Sequence, residues 1–426
     1  MEEPLLTHDG LFLLFSTFLN SIPVGYINVV PLVYLAEIGY DPATIGIIYS
    51  ASAVAVTIGL IPCGIIADKY GKKTLLIIGT FLPCVSYAIF GVTLNPLLLT
   101  VASIIGGVGY AGGLGVAAAN PTLIPMLASS TSDNNRSTLF GLLQGAWALA
   151  LTIGSALSFL PSLFSSSFAQ SEMAAHFESY FIMCGIAAIS VLPVFLVEEQ
   201  RNSNEPRNTS ASNLPLAHVT RGKRPYFSTV RSWSAIAKFS TVFAFSGFGL
   251  GVLVQLLPTW YALRFGASES AIGFWSAVSN LATIVSIPII PLLVGRRGSI
   301  SALAAMGIVG TLLLALMPLT AMFEVAAALF AIRGVTYSLS WAVLQSYMMG
   351  VVSEGERGTM IGFTYTAWGV GNSIGVLLGG EFLGVGLLTL PFVVGIISYL
   401  ASSVALLFFF RRIKAPEEIT SFRVGV

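Results

Sequence analysis

The chain has 426 residues, of which 55% are apolar and only 9% charged, with a net charge of +1 and a mean hydropathy of +0.86. Soluble domains carry about 25% charged residues, so this composition cannot cover a water-facing surface and places the chain in a bilayer. The charge is balanced and no stretch forms a basic domain, so no nucleic-acid partner is expected.

The N-terminus, Met1-Glu2-Glu3-Pro4, is acidic. It lacks the basic start of a signal peptide, so the first span is expected to be retained. A transmembrane helix needs about 20 mostly apolar residues. On that rule twelve spans are expected, at 10–36, 44–67, 74–93, 97–127, 138–161, 177–197, 234–262, 271–294, 300–320, 324–349, 358–382 and 385–410. The segment 201–232, rich in Ser, Asn, Pro and Arg, reads as a cytoplasmic linker between a half at 1–200 and a half with a short tail at 233–426. The expected fold is an all-α membrane protein of twelve helices in two pseudo-symmetric six-helix halves. If both termini are cytoplasmic, every Lys and Arg except Arg264 and Arg333 falls at the inner ends of spans, in inner loops or in the tail. The positive-inside rule therefore predicts a multi-pass protein of the cell membrane with both termini inside.

The halves repeat. Pro31, Tyr34, Gly39, Ile45 and Gly46 recur 227 positions later as Pro258, Tyr261, Gly266, Ile272 and Gly273. Arg136, Gly141, Trp147 and Gly154 recur 221 positions later as Arg357, Gly362, Trp368 and Gly375. A parallel repeat of six spans explains both series.

The second and third spans are joined by Gly64-Ile65-Ile66-Ala67-Asp68-Lys69-Tyr70-Gly71-Lys72-Lys73. Gly64 allows close approach of a neighbouring helix, Gly71 a tight turn, and Asp68 at a span end needs a partner. This loop resembles the signature Gly-x-x-x-Asp-x-x-Gly-Arg/Lys-Arg/Lys of the major facilitator superfamily, and with the repeat the resemblance covers nearly the whole chain. It implies alternating access, with spans 1, 4, 7 and 10 around a central cavity. It also implies a cytoplasmic latch of Gly64, Asp68, Gly71, Lys72 and Lys73 with Arg136 and Arg357. Asp68 is expected near Gly358, where a helix start favours an acid, paired with Arg136 or Arg357. Lys69, Lys72 and Lys73 alternatively anchor the loop to anionic headgroups. The second copy departs from the pattern, because Gly295 stands where Asp68 would recur.

Span 10 carries Arg333, Tyr337, Trp341 and Gln345 four apart, one stripe on one helix face. Arg333 falls about 14 Å from the outer end of its span, near the midplane, where Arg costs at least ~3 kcal/mol. The functional reading is that Arg333 takes an anionic group of the solute and the aromatic rings pack its apolar part. The structural reading is an ion pair with Glu381 or Glu324, or a gate contact. Asn28 aligns with Gln255 through the offset of 227, and Asn20 lies two turns before Asn28. These amides read either as solute ligands or as helix–helix hydrogen bonds. Gln144, Asn280 and Asn372 are weaker candidates for the same role.

No Asp or Glu falls mid-membrane. Glu37, Asp41, Glu269, Glu324 and Glu381 lie near outer ends, and His8, His176 and His218 outside the spans. The antiporter pattern of the fifth span is broken, since Ser158-Phe159 follows Gly145 and Gly154 where Gly-Pro is expected. Cys63, Cys84 and Cys184 read as small buried hydrophobes. No metal, cofactor or catalytic constellation is visible, so an enzyme is not expected. The leading expectation is a monomeric secondary transporter of a small organic solute, an organic anion, with a proton or another ion as coupling partner. The alternative is efflux of amphipathic drug-like or lipid-like compounds by ion antiport.

Overall fold

The computed structural model describes residues 7–109, 112–131, 136–198, 232–286, 299–352 and 356–411. Most of the expected linker, Gly295, Gly298 and the side chains of Asp68, Lys69, Arg136 and Arg357 lie outside the described residues.

The described chain is all-α. In order it forms α1 (His8–Ile27), α2 (Val30–Glu37), α3 (Pro42–Tyr70), α4 (Lys72–Phe90), α5 (Pro96–Ile105), α6 (Gly113–Ser129), α7 (Arg136–Ala156), α8 (Leu160–Phe168), α9 (Glu172–Leu196), α10 (Trp233–Gly249), α11 (Leu257–Phe265), α12 (Glu269–Ser286), α13 (Ser299–Leu316), α14 (Phe323–Val351), α15 (Arg357–Gly384) and α16 (Leu390–Phe410). Among the described residues, eight segments are long and apolar enough to cross a membrane, several of them joining two helices end to end. Local chemistry sets the helix starts. Asp41 caps α3, accepting from the Ala43 N–H at 3.2 Å, with Pro42 at the first helical position. Asn95 caps α5 through the Leu97 N–H at 2.9 Å. Gly71 ends α3 and opens α4 at φ 103°, a conformation only glycine takes cheaply.

In lipid, helices pack through small residues that let backbones approach. Gly46 of α3 packs on α15, where an added Cβ would sit 3.0 Å from the Val376 carbonyl oxygen. Its repeat, Gly273 of α12, packs on α7, where a Cβ would sit 2.5 Å from the Ser155 carbonyl oxygen. The sequence repeat is thus a repeat of interfaces between the halves, with α3 meeting α15 and α12 meeting α7.

The largest buried cluster belongs to both halves. It joins Tyr26, Tyr49 and Tyr180 to Leu253, Trp260 and Phe392 at the end of the bundle away from the termini. Toward the termini each half has a core of its own, around Phe239, Tyr347 and Phe410 in the second half and around Leu13, Leu139 and Val194 in the first. The halves are therefore welded at the far end and separately packed at the terminal end.

Three helix breaks lie around the centre. Between α1 and α2, Val29 leaves the helical region with φ −120° and ψ −63°. A π-helical segment, Leu250–Val254, interrupts the path from α10 to α11. Between α5 and α6 the chain leaves the helix at Gly106 and is non-helical through Gly109. Non-helical backbone at membrane depth must find partners within the protein. Accordingly the Tyr49 hydroxyl donates to the Ile27 carbonyl at 2.9 Å, and the Val108 N–H donates to Ser52 Oγ at 3.2 Å.

Candidate functional site

The breaks in the first and seventh spans place Asn28 and Gln255 in one cavity between the halves. Its walls come from α1, α7, the α10–α11 segment, α12 and α14, and include Ser155, Tyr261, Ser279 and Asn280. Gln255 is 1% exposed, yet neither its amide nitrogen nor its amide oxygen has a partner among the described residues. Asn28 Oδ1 and the Tyr261 hydroxyl are likewise buried without one. Each such group costs about 1–3 kcal/mol in the empty protein. This cavity therefore presents neutral hydrogen-bonding groups whose partners are missing. Asn280 Nδ2 donates to Ser155 Oγ across the halves at 3.4 Å.

Arg333, Tyr337 and Trp341 do share a face, but it does not line the cavity that holds Asn28 and Gln255. They line a second cavity inside the C-terminal half, walled by α10, α13, α14 and α16. Arg333 is 5% exposed. Its guanidinium carbon lies 4.9 Å from the Tyr337 ring centre, 5.2 Å from Tyr399 and 5.8 Å from Phe330. Ring faces attract a cation, by ~2 kcal/mol or more when water is excluded. Among the described residues no carboxylate is within ion-pair distance of Arg333, and both Glu381 and Glu324 are exposed at the far end. Phe330, whose ring faces Arg333, lines the central cavity.

The other expected residues sit elsewhere. Gln345 Nε2 donates to the Tyr365 hydroxyl at 2.8 Å. Asn20 joins three helices of the first half, donating to the Thr80 carbonyl and to Ser190 Oγ, both at 3.1 Å. Asn372 is fully buried and its side chain has no hydrogen-bond partner among the described residues, whereas Gln144 is exposed. In the first turn of α4, Lys73 Nζ donates to the Phe195 carbonyl at 2.9 Å, at the negative end of α9. Gly64 faces Pro121 with room to spare, its nearest neighbour lying 4.0 Å from an added Cβ. Cys84 and Cys184 are free thiols with their sulfurs 3.2 Å apart, packed between α4 and α9.

One pair escaped the sequence reading. His176 lies within α9 rather than before a span, and it is buried against Glu269 at the start of α12. Its Nε2 is 3.0 Å and 3.1 Å from the two carboxylate oxygens, while Nδ1 is 2.7 Å from the Glu172 carbonyl oxygen. Tyr34 stacks on the imidazole with ring centres 3.6 Å apart. The two partners belong to different halves and stand 93 positions apart. The available signal was a His and a Glu at outer span ends.

Two repeated helical halves, welded at one end around a central cavity, define a polytopic membrane transporter rather than an enzyme. The Major Facilitator Superfamily model matches residues 13–266 and 239–424, and the chain belongs to that family. An uncharacterized MFS-type transporter of Methanocaldococcus jannaschii is 24% identical over 394 residues, spanning 90% of this chain and 96% of that protein. The quinolone resistance protein NorA of Staphylococcus aureus is 35% identical over 95 residues, only 22% of this chain and 24% of NorA. Among solved structures, a mutant of the nucleoside transporter NupG superposes with a TM-score of 0.68 at 16% identity, covering 95% of this chain and 100% of that one. A bacterial homologue of the human lysosomal transporter Spinster, inward-facing and unoccupied, gives 0.67 at 15% identity and covers 96% of each chain. At these identities the two structures show a shared fold.

Proposed function

We propose that this protein is a secondary active transporter that moves a small organic anion across the cell membrane by alternating access. It works as a monomer with both termini cytoplasmic and with a proton or another small ion as coupling partner. The single observation behind the anion is Arg333: a buried guanidinium with no carboxylate beside it among the described residues, set against a cavity. A cation kept in that place needs a compensating anion during part of the cycle. The amides of the central cavity supply the neutral contacts, and Phe330 of that cavity stands beside Arg333. With the termini inside, the shared core and the His176–Glu269 pair close the outer face, so the arrangement described is closed to the outside.

A second reading is efflux of amphipathic drug-like or lipid-like compounds by ion antiport. It draws on the 95-residue likeness to NorA and on the aromatic and aliphatic lining around Arg333.

The deciding experiment is a binding screen of the purified protein against carboxylates, phosphates, sugars and neutral drugs, repeated with two variants. Arg333→Lys keeps the charge but loses the planar fork and should weaken anion binding. Arg333→Gln should weaken it further, with selectivity moving toward neutral compounds. Unchanged affinity for every ligand in Arg333→Gln would sink the anion reading and favour efflux of apolar compounds.

A further inference from the structure

The cavity holding Arg333 has a chemical gradient along its length. At one end stand Arg333, Tyr399 and Leu314. Down α14 the lining continues through Tyr337 and Trp341 to Leu344, where Leu303, Leu406 and Val242 close around it. Arg333 and Leu344 are separated by about 16 Å of helix. The charged end and the aliphatic end are therefore a long way apart for a compact solute.

The middle of the cavity looks polar by composition, with several Ser and Thr residues. Most of their protons are already committed. Thr336 donates to the Arg333 carbonyl, Ser340 to the Thr336 carbonyl and Thr311 to the Gly307 carbonyl. Ser402 donates to the Val242 carbonyl and Ser403 to the Tyr399 carbonyl. Once these are discounted, Ser246 and the Tyr399 hydroxyl, the latter buried without a partner among the described residues, remain as neutral donors, and the guanidinium is the charged group of the lining. The centres of water-sized molecules reach about 100 Å³ of the cavity. A single water needs about 10–15 Å³ on that measure, so this is no packing defect. An aliphatic-lined space of this size is a poor place for water and a good one for methylene groups.

We infer that this cavity binds a single-chain amphiphile with one anionic head, the head at Arg333 and the chain running along α14 toward Leu303, Leu344 and Leu406. The site lies wholly within the C-terminal half and is distinct from the amide-lined cavity between the halves. It rests on the anion reading of Arg333 and narrows it, because a compact polar anion leaves the aliphatic end of the groove unfilled. It also gives the drug-like alternative a specific form, since the apolar chain and the charge are recognised together.

The test uses the full-length protein in nanodiscs of zwitterionic lipid. Binding of dodecanoate, butyrate and dodecanol is measured, with a terminally brominated dodecanoate reporting contact through quenching of Trp341. Dodecanoate should bind about a hundredfold or more tighter than butyrate, given the extra buried methylenes. It should also bind at least about tenfold tighter than dodecanol, a difference abolished in Arg333→Gln. Quenching should be lost in Trp341→Phe. Ser340→Phe fills the middle of the groove while keeping Arg333, and should block dodecanoate while sparing butyrate. Equal, Arg333-dependent affinities for dodecanoate and butyrate would leave the anion reading standing and overturn the amphiphile. Equal affinities for dodecanoate and dodecanol, indifferent to Arg333→Gln, would overturn both. Undiminished dodecanoate binding in Ser340→Phe would place the chain outside this groove and overturn the site.

Discussion

His176 Nε2 lies 3.0 Å from Glu269 Oε1, and the contact joins the two halves of the bundle at the end away from the termini. Both residues are buried there, at 6% and 8% exposure. Any conformation that opens this end must part them. Removing one member of a buried pair strands the other, at a cost of about 3–5 kcal/mol when burial is complete.

Glu269→Gln is therefore expected to loosen the far end. A cysteine introduced at Ser276, which lines the central cavity, should react with an impermeant thiol reagent from outside at least about tenfold faster, a population change that needs only ~1.4 kcal/mol. Pairing His176→Gln with Glu269→Gln should bring the rate back toward the parent value. A labelling rate unaffected by Glu269→Gln would show that other contacts hold this face.

The central amides invite a trade between stability and transport. Gln255→Met keeps the volume and removes two buried polar atoms without partners. The empty variant should be more stable by about 1–3 kcal/mol, read as a raised midpoint of thermal unfolding. Uptake or efflux should fall in the same variant. A lowered midpoint would mean that Gln255 has a partner which the empty cavity conceals.

The glycine contacts between the halves should tolerate nothing larger. Gly46→Leu or Gly273→Leu pushes a side chain into backbone 3.0 Å or 2.5 Å from the Cβ position. The far end should then stay apart, with the Ser276 cysteine open to the outside even with His176 and Glu269 intact. Parent-like protection would place the tight contact elsewhere.

Asp68→Asn keeps the shape of the side chain and removes the charge that the expected cytoplasmic latch uses. If Asp68 serves that latch, transport should drop while solute affinity changes little. Transport at the parent rate would remove Asp68 from that role.

Orientation is checked with cysteines at Ser212 and Ser171 in a Cys-free background. The first should label only from the cytoplasmic side and the second only from outside. External labelling of Ser212 in intact cells would invert the topology.

The repeat at 227 positions was legible because the same turn chemistry serves both halves. Gly39 and Gly266 both take positive φ, at 91° and 62°. The alignment of Asn28 with Gln255 likewise led to one cavity, since each follows from a helix break at the same depth. The stripe from Arg333 to Trp341 was legible as a helix face, because four-residue spacing alone places side chains together.

What composition, hydropathy and repeat determine by themselves is that this chain is a two-fold repeated helical membrane protein, because lipid solvation and backbone hydrogen bonding leave few other solutions. Which cavity that face lines was left to the tertiary structure. Arg333 points between α10, α13, α14 and α16 inside one half, and periodicity carries no information about which neighbours surround a helix. Asn20 shows the same limit, being tied to Thr80 and Ser190 on helices that only packing brings to it. The His176–Glu269 pair is the plainest case. Two ordinary polar residues at span ends become a buried contact only when the halves close over them, and nothing local in either segment encodes that meeting.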